Sequence, residues 1–114
     1  MQMEIFTYHG HPVRVGSHDG IAWFVGQDIA EILGIEDPRN VIAEAVGPDE
    51  RVPMMMHCDE HDHDYRIDLI TCGGAVDLLF EADDADLEGV KHFKSWLADV
   101  EEVVSYDGIW CEED

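Results

Sequence analysis

An α+β domain, in which small antiparallel sheet elements (an N-terminal meander and a later hairpin) pack with about four helices, is the fold class this 114-residue sequence predicts. Three observations predict it. Short runs of β-forming residues separated by Gly, Pro, Asp and His come first, and two stretches with apolar residues three and four apart follow. A second alternating pair then precedes the longest helical period in the chain. Hydrophobic residues make up 46% of the sequence, enough to offset the entropy of ordering, so a disordered chain is excluded. The length gives room for one domain, placed at residues 1–108, with an acidic tail at 109–114.

Ile5 to Tyr8 and Val13 to Val15 read as strands broken by His9-Gly10-His11-Pro12, and Ile21 to Val25 continues after the turn Ser17-His18-Asp19-Gly20. Ile29, Ala30, Ile32 and Leu33 make the stripe of a first helix that stops at Gly34, suited to a left-handed C-terminal cap. Asp37-Pro38 predicts an N-cap and first turn for a second helix, with Val41, Ile42, Ala45 and Val46 on one face and an end at Gly47-Pro48. By spacing alone the two form a helix-turn-helix-like unit. Val52 to Met56 and Tyr65 to Ile70 flank the polar run CDEHDHD, a hairpin with a long tip. Thr71 caps a third helix through Ala75, Val76, Leu78, Leu79 and Phe80, despite Gly73 and Gly74 in its first turn. Asp83-Asp84-Ala85-Asp86 supplies the next cap, and Leu87, Val90, Phe93, Leu97, Val100 and Val104 mark the most regular helix. SYDGIWCEED has no period.

Charge bounds function more sharply than pattern does. Six Lys and Arg stand against 27 Asp and Glu, for a formal net charge of −21. Phosphate binding rests on cationic side chains that release condensed counterions, and Arg14, Arg39, Arg51, Arg66, Lys91 and Lys94 are the whole supply. Direct nucleic-acid binding is therefore disfavoured. Such acidity fits a surface offered to a basic DNA- or RNA-binding protein, or adaptation to high salt. The opening residues have neither a basic flank nor an apolar run, and nowhere do 18 apolar residues follow one another, so export and membrane insertion are not expected and a cytoplasmic location is. Cys58, Cys72 and Cys111 are odd in number and widely spaced, which predicts reduced thiols rather than a disulfide framework or zinc ribbon.

Residues spread over nearly the whole chain resemble one family. They are Val13-Arg14-Val15, then Trp23-Phe24-Val25-Gly26 leading into Asp28-Ile29-Ala30 and Leu33-Gly34, then Asp37-Pro38-Arg39-Asn40. Leu69-Ile70-Thr71 with Gly74 and Leu79, and Lys91, Phe93, Lys94 and Trp96-Leu97, continue it in the same order. Together they resemble Bro-N, the N-terminal domain of the baculovirus-repeated-ORF family, common in large DNA viruses and as the front half of many phage antirepressors. The resemblance implies DNA binding for typical members, carried by basic residues. This chain departs where that base usually stands: Val41-Ile42-Ala43-Glu44-Ala45-Val46 follows Arg39, and Phe93-Lys94-Ser95-Trp96 leads into Asp99, Glu101, Glu102 and Asp107. The DNA-binding role therefore does not transfer to Ala43, Glu44 or Asp99.

Each constellation has a plainer reading beside the chemical one. The tip from His57 to Asp64 packs three imidazoles, a thiol and four carboxylates into eight residues, a set that suits zinc, nickel or copper, with His57, His61 and His63 as the ligands to suspect. The solvated hairpin tip is the reading preferred, since no second ligand pair at zinc-finger spacing completes a tetrahedral site, and no metal or other cofactor is assigned. Met54-Met55-Met56 could make an adaptable interaction surface, but a strand there should turn at least one of them to the core. Trp23-Phe24, Phe93 and Trp96 are expected as core anchors, whereas Trp110 either folds back or faces a partner. No nucleophile elbow, Walker loop or H-E-x-x-H is present, so an enzyme is not expected.

The expected function is thus a non-enzymatic regulatory or counter-defence protein of phage or prophage origin that binds a basic DNA-binding protein, a repressor or a host factor. Glu44, Asp99, Glu101, Glu102 and Trp110 are its contact candidates, in an antirepressor or a DNA-mimic mode, and the chain could also pair with itself as a homodimer. The alternative keeps the family's usual activity: sequence-specific DNA binding through Arg39, Lys91 and Lys94, or a halophile-adapted version of it.

Overall fold

The computed structural model describes residues 3–58, 60–81 and 87–113, and for residues 87, 88 and 105–113 the backbone alone. Three strands open the chain, β1 (Met3–Tyr8), β2 (His11–His18) and β3 (Ile21–Val25). Two-residue loops join them. His9-Gly10 and Asp19-Gly20 all have positive φ, the mirror-image turn that matches strand twist, and they lock Tyr8 opposite His11 and His18 opposite Ile21. Helices α1 (Gly26–Leu33) and α2 (Pro38–Ala45) follow, then a 3-10 turn at Pro48–Glu50. The hairpin β4 (Arg51–Cys58) and β5 (His63–Ile70) leads into α3 (Cys72–Glu81) and α4 (Leu87–Glu113).

Meander and hairpin are not separate sheets. β3 pairs with β5 through Phe24 opposite Ile70 and Val25 opposite Leu69, giving one antiparallel five-stranded sheet in the order β1-β2-β3-β5-β4. The fold is α+β, with four helices among the described residues. Alternation decides what each face does. Val13, Val15, Phe24 and Ile70 point to the side where Ile29, Ile42, Leu78, Leu79, Phe93 and Leu97 come down from the helices, and this is the main core. A second, small buried cluster of Val25, Ile67 and Leu69 lies on the other face, flanked among the described residues by side chains from the strands.

The helix ends follow local chemistry. Gly34 takes the left-handed conformation at φ 69°, and Ile35 N–H reaches Ala30 O at 2.9 Å, closing α1 as the glycine predicts. Thr71 Oγ1 accepts from Gly74 N–H at 3.1 Å, the cap expected for α3. Asp37 stands at the cap position of α2 but is left-handed and accepts from the Asn40 side-chain amide instead of a backbone N–H, so the expected side-chain cap is not made. The Asp83–Asp86 cap lies outside the described residues.

Other expectations change with tertiary context. The hairpin ladder runs on to His57 opposite Asp64 and Cys58 opposite His63, so Cys58, His63 and Asp64 of the polar run belong to the strands rather than to a long tip, because pairing once begun is cheap to extend. The backbone of α4 continues to Glu113, past Val104 where the apolar stripe ends, since elongating a helix costs far less than nucleating one. Trp23 and Trp96 are half-buried instead of being core anchors like Phe24 and Phe93. The methionines keep to expectation: Met54 and Met56 pack on the second cluster, and Met55 is exposed on the helix side of the edge strand.

Candidate partner-binding surface

The polar residues nearest the centre of the molecule hold the fold. β3 is short and turns into α1 at Gly26, so beyond it β2 and β5 have no strand between them. Arg14 fills that gap. Its Nε donates to Asp28 Oδ2 at 2.9 Å, Nη2 to Oδ1 at 3.1 Å and Nη1 to the Tyr65 hydroxyl at 2.9 Å. The Arg14 backbone N–H also donates to Asp28 Oδ2 at 3.0 Å. Hydrogen bonds to Asp28 raise the guanidinium's pKa further above its ordinary value, against the opposing effect of burial. A second network sits alongside, where Gln27 and Asp68 exchange two 3.0 Å hydrogen bonds and Arg66 donates to Asp68 Oδ1, neutralising a carboxylate that is 3% exposed. Arg14 and Asp28 are among the residues that carry the family resemblance, and here they join sheet to helix. Sequence reasoning missed both networks because Arg and Asp 14 residues apart carry no local signal.

The candidate acidic residues with described side chains stand on two helices. Glu44 is exposed on α2, and Asp99 and Glu102 are exposed on α4, with α3 packed against both helices. Asp99 lines an open groove of about 270 Å³ between the β1–β2 hairpin and α4, with Tyr8, His9, His92 and Trp96. Tyr8 fixes that groove: its ring stacks on His9 at 4.2 Å and meets Phe93 and Trp96 edge-on at 5.0 and 5.2 Å. Glu101 takes the other flank of α4, half-buried. There it assists burial in pushing the Cys72 thiol up to about 11. Cys58 and Cys72 are free thiols. The side chain of Trp110 lies outside the described residues.

Most of the cationic supply is engaged within the molecule. Arg14 is held by Asp28, Arg66 by Asp68, Arg51 Nε by the Val46 carbonyl at 3.1 Å, and the Lys94 ammonium sits 5.0 Å from the centroid of the exposed Phe80 ring. Arg39 in the first turn of α2 and Lys91 on α4 are exposed, and among the described residues no ion pair engages them.

The hairpin tip separates its imidazoles. His57 pairs with Asp64 on one face of the ladder, with Nδ1 2.9 Å from Oδ1, whereas His63 stands opposite Cys58 on the other. His61 and His63 bring their rings to 5.9 Å. Among the described residues no group of three or more His, Cys, Asp or Glu is placed to hold a metal ion. No helix among them is long and apolar enough to cross a membrane.

No curated protein and no solved structure matches the chain. The model of the BRO family, N-terminal domain, matches residues 12–105. That span runs from β2 through the sheet, the Arg14–Asp28 junction and all but the last turns of α4, so the chain belongs to the BRO family through its N-terminal domain.

Proposed function

We infer that this chain is a regulatory protein of phage or prophage origin that engages a basic DNA-binding protein, a repressor or a host factor, through exposed carboxylates. Bro-N domains are regulatory and non-catalytic, and membership suggests an antirepressor or DNA-binding role. The observation that carries the acidic-surface reading is the charge inventory in its structural setting. Four of six cations are committed to internal partners, leaving Arg39 and Lys91, while Glu44, Asp99 and Glu102 stand exposed on two helices. Two cations left unengaged among the described residues are too few for the several phosphate contacts that duplex binding needs. Exposed carboxylates can instead occupy a partner's phosphate-contacting Lys and Arg, or grip a repressor and detach it from its operator.

Family membership favours a second reading, in which Arg39, Lys91 and Lys94 contact DNA directly. One experiment separates the two. At about 0.15 M salt, where the Debye length is about 8 Å, the chain should release a basic repressor from labelled operator DNA without shifting that DNA itself. The triple reversal E44K/D99K/E102K should lose the releasing activity. Saturable binding of the chain alone to the duplex would overturn the acidic-surface reading and support the second.

A further inference from the structure

Among the described residues the sheet has one open face, and its composition is the opposite of the molecule's. It is made of the odd-numbered residues of β1, β3 and β5 and the even-numbered residues of β2 and β4, as the pairing of Met3 with Gly16, Gly16 with Trp23, Val25 with Leu69 and Met54 with Ile67 requires. Every helix residue packed in a core cluster belongs to the opposite face. In a chain with 27 Asp and Glu, no position of the open face holds either. The three strand carboxylates, Glu4, Asp64 and Asp68, all alternate to the helix side. The open face instead leaves Ile5 68% exposed and Ile21 and Val52 each 45% exposed, around a half-buried Trp23.

Arg14, held by Asp28, lies on this face opposite Ile5, and His18 lies opposite Ile21, so the face is acid-free and largely apolar; such a face on an acidic molecule calls for a partner. We propose that the open sheet face is a self-association surface and that its occupant is a second copy of this chain, packed sheet on sheet. Charge selects that occupant. A basic partner is drawn to carboxylates, which this face lacks, whereas two copies at −21 each can meet closely only where neither presents acid. Size agrees. Five strands about 4.8 Å apart and up to eight residues long at about 3.4 Å per residue give a footprint on the order of 600 Å² per copy. Two such faces in contact would bury on the order of 1,200 Å², the lower end of the range for specific interfaces. A two-fold axis through the face makes each residue its own complement, and two stacked sheets about 10 Å apart form a sandwich whose interior includes Trp23 and the adaptable Met54 and Met56.

This inference does not depend on the acidic-surface reading, and salt separates the two. Binding of a basic partner weakens as salt rises, but a dimer built on a carboxylate-free face between strongly acidic bodies must tighten as their mutual repulsion is screened. Sedimentation equilibrium of the full chain at about 0.05 and about 0.5 M NaCl should give a dimer whose dissociation constant falls at least about fivefold at the higher salt. The variant I5K/V52K changes two exposed side chains, so it should stay folded, with an unchanged circular dichroism spectrum, and be monomeric in both buffers. A native chain that is monomeric at about 100 µM in both buffers overturns the proposal and leaves the face to an unlike partner. So does an I5K/V52K variant that dimerises like the native chain.

Discussion

Cys72 shows how a single side chain reports its surroundings. Burial first, and Glu101 second, raise its pKa to about 11, because both disfavour the thiolate. A raised folded-state pKa means that the folded chain holds the thiol proton more tightly than the unfolded one. The corresponding stability is complete below the ordinary thiol range and is lost as pH climbs toward about 11. Labelling of Cys72 by iodoacetamide, mapped by peptide mass, should therefore follow a titration centred near 11, and E101Q should move the midpoint down. An unmoved midpoint would place Glu101 away from the thiol. Gly26 argues from space instead. A Cβ there would stand 3.0 Å from the Asp68 carbonyl oxygen and 2.7 Å from Ile42 Cδ1, so the start of α1 can cross β5 only without a side chain. Neither effect is legible in the sequence, where Cys72 and Glu101 stand 29 positions apart (101 minus 72) and Gly26 looks like any strand-ending glycine.

Elements that depend on neighbouring residues could be read directly from the chain. Thr71 caps α3 because its hydroxyl oxygen is three residues from the Gly74 N–H it accepts, a local relation that spacing reveals. Thr71→Ala should cost about 1 kcal/mol, measured by urea unfolding, with somewhat more if the 3.3 Å bond from Thr71 Oγ1 to Glu50 Oε1 adds to it. Thr71→Ser, which keeps the hydroxyl, should recover most of the loss. Elements set by distant pairing leave no such local signal. The tip histidines look like one ligand set along the sequence, yet the ladder sends His57 and His63 to opposite faces, because antiparallel register reverses sidedness at each step. For the same reason Met54 and Met56 share a face that Met55 does not.

Over the whole molecule, net charge of −21 works against compactness and self-association alike. The triple reversal E44K/D99K/E102K brings the charge to −15, since each of three changes adds two to −21. At low ionic strength it should melt above the native chain, and the difference should shrink as salt screens the repulsion toward a Debye length of about 3 Å at 1 M. Melting temperatures recorded across that range check it. A variant that melts lower at every salt concentration would mean that these carboxylates make contacts the fold needs. The same surface charge accounts for the open sheet face standing out so clearly: where all else repels a copy of itself, the acid-free face is the place of closest approach.

Local apolar periods and turn residues were enough to determine the α+β class, the order of strands and helices and the caps at Gly34 and Thr71, because each depends on residues within a few positions of one another, while the family resemblance was carried by residues spread along the chain. Charge, too, was fully present in the composition. Tertiary structure alone decided that β3 would join β5 into one sheet, that Arg14 would lock Asp28 and Tyr65 across the gap beyond β3, and that Glu101 would turn inward beside Cys72. It also decided that Trp23, Met54 and Met56 would pack on the second cluster, on the face away from the helices, while Met55 turns to the other. Those outcomes follow from which strands become neighbours, and strand pairing brings together residues whose separation along the chain leaves no periodic trace.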